Sequence, residues 1–362
     1  MNINKDNLYQ CYYDPNNTKK PKLLLVTFPI DWGNATLEKL LIGSLEQITD
    51  LEIFRFAPDP KPSRGYRQLI QQRILGTFQL WRAVKSAQKE GRKVLFQGIS
   101  PALYALPAIG SNQTCVITDW TRKLYEPFSD ILPSPPWLTK LHSQVLNRQQ
   151  AILGLTHSVA DEIQKDYSVP ENKIKRVRYP FSSNLKRFKA SPKRQDDEIR
   201  LLFVGGDLYR KGGDCLLRWM DAQNNSKVKL TMVTKTPLEP IPGVEVVSNL
   251  EFGQPAHSQL FESHDVFVLP TTLDAYPAVL GEAACAGLAM LTTENALGAR
   301  EVIVHERNGY ICPTQQALLQ RLDKLVQDKA LIESMKVQSR QHMEQHFSDQ
   351  VVSQQLLACL FE

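Results

Sequence analysis

Residues 265–293 read DVFVLPTTLDAYPAVLGEAACAGLAMLTT, and this stretch decides the fold. Residues 266–269 form an unbroken apolar run, as expected of a parallel strand buried on both faces. Pro270 stops the strand. Asp274 follows in the loop, Pro277 suits the first turn of a helix, and Gly287 is placed to end that helix before 288–293 resumes as a strand. The stretch is therefore a β-α-β unit, with the carboxylates Asp274 and Glu282 on either side of its strand-to-helix turn. Glu282 is expected near the helix start. There the free backbone N–H groups and the helix dipole favour an anionic ligand such as a diphosphate, while a carboxylate accepts hydrogen bonds from sugar or ribose hydroxyls.

The same alternation extends in both directions. Strands are expected at 22–28, 51–56, 94–96, 115–118 and 151–156, with helices at 36–48, 67–90, 101–109, 137–153 and 158–167, the last capped by Ser158. The second half repeats the pattern, with strands at 199–204, 228–233, 244–247, 266–269 and 288–293 and helices at 212–222, 256–263 and 278–286. Such alternation predicts α/β architecture, a mostly parallel, doubly wound sheet in each half. At 362 residues the chain is long for one core and suited to two. The expected boundaries are an extension at 1–20, a first domain at 21–180 and a linker at 181–198 marked by Pro192, serines and charges. A second domain is expected at 199–340, with a C-terminal helix at 341–362 packing back on the first. Ligands of such sheets bind beyond the carboxyl ends of the strands, which here predicts a cleft between the two domains.

No apolar run approaches the roughly 18 residues of a membrane span, and the N-terminus lacks the apolar centre of a secretory signal. Six scattered cysteines point to reduced thiols and a cytoplasmic setting. No His/Cys cluster or Asp-x-Asp pair suggests a metal. The net charge of +5 is concentrated: residues 61–93 hold nine Lys/Arg against one Glu, residues 173–194 hold nine against no acid, and the remainder is net acidic. Within the first basic region, Ile70, Ile74, Phe78, Trp81 and Val84 fall at helical spacing, with Arg67, Arg73, Lys85 and Lys89 around them. Two readings stand, an ordinary packed helix with a solvated basic face or a surface for anionic lipid head groups or an anionic acceptor. Nucleic acid is not expected as a partner, because no recognition motif accompanies the charge.

The second domain opens with LLFVGGDLYRKGGD at 201–214. A strand, the Gly205-Gly206 turn, then Arg210, Lys211 and two further glycines make a loop where backbone approaches a phosphate and a cation neutralises it, although it is no P-loop. This loop, Gly253 after a later strand, the 265–293 unit, the run GARE at 298–301 and Asn308-Gly309-Tyr310 agree in order and spacing with a known family. The chain resembles the donor half of retaining glycosyltransferases of family 4, which have the GT-B fold of two Rossmann-like domains across a cleft. The close resemblance covers 199–313. Residues 21–180 resemble the family more loosely, through the opening strand with Gly33 and the segment THSVADEIQKDYSVPENKIKRVRYP.

The resemblance implies that Lys211 binds the donor diphosphate within a loop formed by Gly205, Gly206 and Arg210, and that Glu282 holds the nucleotide ribose. It further implies that Asp274, with the backbone at Tyr276, Pro277, Ala278 and Val279, contacts the transferred sugar, and that Gly33 and Gly253 approach the donor. Asp119, after a first-domain strand, is the expected catalytic partner of Lys211 and Asp274. The plainer readings are a capping carboxylate for Asp274, an exposed helix charge for Glu282, a loop aspartate for Asp119 and a turn glycine for Gly33. Three positions depart from the family: Asp274 stands where Glu is usual, Gly206 where many members have Arg, and Pro277 where Gly is usual.

The expected function is metal-independent transfer of a sugar from a UDP- or GDP-sugar to an acceptor hydroxyl, with retention at the anomeric carbon and without a cofactor. The expected acceptor is a glycan, a lipid-linked molecule or a small metabolite in glycan, polysaccharide or glycolipid biosynthesis, and the expected location is the cytoplasm or the cytoplasmic face of a membrane. Epimerisation of a nucleotide sugar, glycoside phosphorolysis and a non-catalytic scaffold are the alternatives.

Overall fold

A computed structural model describes residues 20–28, 32–56, 66–109, 113–126, 133–222, 226–251 and 253–361. These residues fall into two compact units, one running to Pro180 and regaining the helix Asp349–Phe361, the other spanning Phe181–Ser348. All but Lys20 of the expected extension at 1–20 lies outside the described residues.

The first unit carries a six-stranded parallel sheet in the order β2-β1-β3-β4-β5-β6. Its strands are β1 Lys22–Thr27, β2 Asp50–Arg55, β3 Lys93–Gln97, β4 Thr114–Thr118, β5 Ala151–Gly154 and β6 Ile174–Arg176. β4 and β5 are buried along their whole length and read as continuous apolar runs, whereas the edge strand β2 alternates with charge. The crossovers are α1 Trp32–Ile48, α2 Tyr66–Lys89, α3 Ile99–Tyr104, α4 Arg122–Tyr125, α5 Pro136–Asn147 and α6 His157–Tyr167. α2 lays Leu80, Val84 and Ala87 into a core with Leu24, Val26 and Phe96.

The second sheet runs β12-β11-β10-β7-β8-β9, also parallel. Its strands are β7 Ile199–Val204, β8 Val228–Val233, β9 Val244–Val247, β10 Val266–Leu269, β11 Ala289–Thr293 and β12 Gly309–Cys312. Helices α7 Ser182–Arg187, α8 Gly213–Asp221, α9 Pro255–Glu262, α10 Ala278–Cys285, α11 Ala299–Val302, α12 Gln315–Leu325 and α13 Lys329–His346 belong to this unit. The chain winds outward from β7 through β8 to β9, then returns to β10 on the other side of β7. The switch point therefore lies between β7 and β10, and it is at the carboxyl ends of those two strands that such sheets hold ligands.

Several expectations change in detail. Residues 181–198 are not a free tether: Phe181 and Phe188 are buried in the second unit, Phe181 against Phe347 at 5.9 Å and Phe188 against Phe261 at 5.5 Å. Gly281 makes room for this, since a Cβ there would lie 2.0 Å from Phe181 Cζ. Arg340 of α13 fastens the same segment, donating to the carbonyls of Phe188 at 2.8 Å and Leu185 at 3.3 Å. Thr156, not Ser158, caps α6 by accepting from the Val159 N–H at 3.1 Å. The helix expected at 137–153 ends at Asn147, before β5. The segment 341–362 splits: α13 continues to His346, and the separate helix α14 Asp349–Phe361 buries Val352, Leu356 and Leu360 in the first unit.

Candidate active site

The two loops at the β7/β10 switch point are joined backbone to backbone. After β7, Gly205 leaves no space for a side chain, because a Cβ would come within 2.8 Å of Phe203 Cζ and 2.9 Å of Lys211 Cβ. Gly212 has φ 75°, and a Cβ there would sit 2.0 Å from the Pro270 carbonyl oxygen. Between these glycines, the Arg210 carbonyl accepts from Thr272 N at 2.9 Å and from Thr271 Oγ1 at 3.1 Å. The Arg210 guanidinium donates in turn to the Leu273 carbonyl at 2.9 Å. Gln315 Nε2 and Thr293 Oγ1 hold the second loop from behind, donating to the carbonyls of Pro270 at 2.7 Å and Thr271 at 2.6 Å.

This stitching brings Lys211 Nζ onto Asp274 Oδ2 in an ion pair whose side chains are 14% and 12% exposed. Asp274 is fixed on both sides, its N–H donating to Asn295 O at 2.9 Å and its carbonyl accepting from Leu297 N at 2.8 Å. Asp274 is therefore a loop carboxylate paired with Lys211 of the β7 loop and not a helix cap. Arg210, expected to assist with phosphate, is turned to Leu273 and to Asp207, 3.4 Å away. Gly206 is exposed and a Cβ there would meet nothing within 4 Å. Tyr276 is buried, its ring against Gly298, where a Cβ would come within 2.7 Å. Pro277 stands at the N-cap of α10, with Ala278 and Val279 half-buried in its first turn and no side chain capping it.

Glu282 lies in the second turn of α10 and is 2% exposed, so it is no solvated helix charge. Its Oε2 is 3.4 Å from His257 Nε2, and His257 Nδ1 is 3.5 Å from Arg187 Nη2. The Arg187 guanidinium lies 4.8 Å over the Phe188 ring, and burial lowers its affinity for the proton while the Glu282 charge raises it. Gly253, with φ 91°, opens beside Arg187: a Cβ there would be 3.8 Å from Nη1. Arg187 and His257 went unmarked in the sequence. Arg187 belonged to a basic run read as linker, and His257 to a helix with no motif around it.

In the first unit Asp119 is half-buried just beyond β4, and Gly33 belongs to the first turn of α1. After Asp119, Trp120 is 38% exposed and its carbonyl accepts from Thr118 Oγ1 at 2.7 Å. A hollow at the carboxyl ends of β1, β3 and β4 is lined by Phe28, Gln97, Gly98, Trp120, Arg122 and His142. Burial, reinforced by Arg122, lowers the proton affinity of His142. Among the described residues no group of three or more His, Cys, Asp or Glu could hold a metal ion.

The segment carrying the second-unit site is the part of the chain that known families match. Residues 184–342 match the family Glycosyl transferases group 1. An uncharacterised glycosyltransferase of Methanocaldococcus jannaschii is 29% identical over 178 residues, 44% of this chain and 45% of that protein, so the match spans less than half of the relative's length. Sucrose-phosphate synthase of Thermosynechococcus elongatus superposes with a TM-score of 0.71 at 13% identity, over 93% of this chain and 97% of the other. HepE of Anabaena, solved with UDP and glucose, superposes with a TM-score of 0.67 at 16% identity, over 94% and 99%. The fold is the two-domain α/β architecture of GT-B glycosyltransferases.

Proposed function

We propose that the protein transfers a sugar from a nucleoside diphosphate sugar to an acceptor hydroxyl, with retention at the anomeric carbon and without a metal. The Lys211–Asp274 pair at the β7/β10 switch point carries this reading. As the bond between the anomeric carbon and the diphosphate breaks, negative charge grows on the leaving oxygen, and stabilising that charge is the main chemical task. Lys211 supplies a largely desolvated ammonium for it. The uncapped first turn of α10 at Ala278 and Val279 adds backbone N–H groups and a favourable dipole. Asp274 accepts from hydroxyls of the transferred sugar and Glu282 from the ribose, and Asp119 is the catalytic residue assigned within the first unit.

UDP-sugars lead the donor reading, followed by GDP-sugars; the acceptor is a glycan, lipid-linked or small molecule in glycan biosynthesis. The protein works in the cytoplasm, in part against an anionic membrane face. Thermal melting with UDP, GDP, ADP and their common sugar conjugates tests the donor half, since a ligand of the native state alone raises the melting temperature. One base is expected to stand out, and its conjugates then enter an acceptor screen with the product's anomeric configuration read by NMR. If none of these nucleotides shifts the transition, the reading fails.

A further inference from the structure

We propose that Arg187 and His257 act as a positioning pair that orients Glu282 to read the ribose diol of the nucleotide; this rests on the transferase reading and names two residues outside the sequence motifs. A guanidinium only donates, so His257 Nδ1, 3.5 Å from Arg187 Nη2, must accept. The other ring nitrogen, Nε2, is then the proton-bearing one, and it lies 3.4 Å from Glu282 Oε2. His257 Nε2 thus stands at ion-pair distance from one carboxylate oxygen, with Arg187 behind the ring. Among the described residues no hydrogen bond reaches the other oxygen, Oε1.

The surroundings hold this chain of groups still. Phe188 stacks under Arg187 and meets the His257 ring edge-on at 5.7 Å, while Phe261 packs against the same imidazole at 5.2 Å. His257 is 5% exposed and Glu282 2%. A buried carboxylate flanked on one side by the imidazole is oriented toward a single set of ligand hydroxyls, and a vicinal diol offers two donors to it. Gly253 itself places no side chain beside Arg187, where a Cβ would lie 3.8 Å from Nη1. Arg187 and His257 touch no reacting atom in this assignment; they act through Glu282.

The test is equilibrium binding of UDP, GDP and ADP to the full chain, followed by the 2′-deoxyribose counterpart of whichever binds best. The wild type is expected to prefer the ribose form by about tenfold, the scale of one hydrogen bond to a charged group. His257→Asn keeps a polar atom near Nδ1 but places nothing at Nε2, and is expected to reduce that preference to about twofold. His257→Gln, whose amide N–H reaches the Nε2 position, is expected to retain it. A purely structural histidine would lower the melting temperature of both variants alike and leave the ratio at its wild-type value, which overturns the proposal. A wild type that binds a diphosphate with no ribose preference also overturns it while leaving the transferase reading intact. If none of the three diphosphates binds, the donor site itself is wrong and the positioning pair falls with it.

Discussion

Lys211 and Asp274 are the residues whose meeting the sequence made least visible. They are 63 positions apart, and the spacing of Asp274 from Glu282 drew attention to a different pair. The ion pair has two opposite consequences for variants. On the proposed transferase reading Lys211→Ala removes the ammonium assigned to the leaving diphosphate, and turnover is expected to fall about a hundredfold, the typical loss of one charge-stabilising donor; turnover like that of the wild type would exclude Lys211 from the mechanism. Asp274→Asn frees the ammonium from its carboxylate, so nucleoside diphosphate is expected to bind about threefold to tenfold more tightly even as transfer slows, a gain of roughly 1 kcal/mol in a charged contact. Calorimetric titration that showed weaker binding in Asp274→Asn would mean that the carboxylate helps to hold the diphosphate. Glu162 is a separate case in the first unit: burial pushes its carboxyl up to about 7, against a hydrogen bond from Thr121 that lowers it. Because the folded state holds this proton more tightly than the unfolded chain, its contribution to stability is full below about 4.5 and is lost as pH rises through about 7, with a ceiling near 3 kcal/mol. Glu162→Gln is expected to show a smaller loss of stability between pH 5 and 8 in denaturant titrations; an unchanged pH slope would remove this group as the cause.

Strands were legible where apolar residues dominate the run: β7, β8 and β10 fall at the expected positions, and so does β9, a half-exposed edge strand betrayed by its three valines. β6, with the sequence IKR, and β12, with GYIC, were not legible, because short edge strands carry neither a long apolar run nor clear alternation. The Thr156 cap was misplaced by two residues for a local reason: both positions carry hydroxyls, and only the chain's turn decides which faces the free N–H. α2 joins an apolar patch to a basic one along its outward side. Ile74, Leu75 and Phe78 are 65%, 58% and 53% exposed, Arg82, Lys85 and Lys89 follow them, and the helix contains no acid. Apolar insertion and attraction to anionic head groups favour the same surface. Co-sedimentation with phosphatidylcholine vesicles containing 30 mol% (~one-third) phosphatidylglycerol is expected to capture the wild type at low salt, and Phe78→Asp with Ile74→Asp is expected to weaken capture about tenfold or more. Equal capture of both proteins would assign the helix face to water.

Across the whole molecule the sequence order and the packing order part company. The helix α14 returns to the first unit after the second is complete, and the segment after Pro180 joins the second unit through Phe181 and Phe188. Neither event leaves a local signal, because the partners lie far away in the sequence and the pattern of a helix does not say which core receives it. What fastens the ends of the second unit is a buried charge network. Asp265, 6% exposed, accepts from Lys336 Nζ at 3.1 Å and from the Arg200 N–H at 2.9 Å, and it pairs with Arg194. Arg194 comes from the segment that enters the unit, Asp265 from the start of β10 and Lys336 from α13, so one carboxylate ties together three parts of the chain. Asp265→Ala leaves Lys336, 3% exposed, with only the more exposed Glu333, 3.2 Å away, as counter-charge. Removing one partner of a buried pair costs about 3–5 kcal/mol, a large fraction of a domain's stability. Unfolding of this variant is expected at correspondingly lower denaturant, whereas the double variant Asp265→Ala with Lys336→Met, which removes the stranded charge as well, is expected to recover part of the loss. A double variant no more stable than Asp265→Ala would show that the cost comes from the lost contacts to Arg194 and Arg200 and not from the under-compensated lysine.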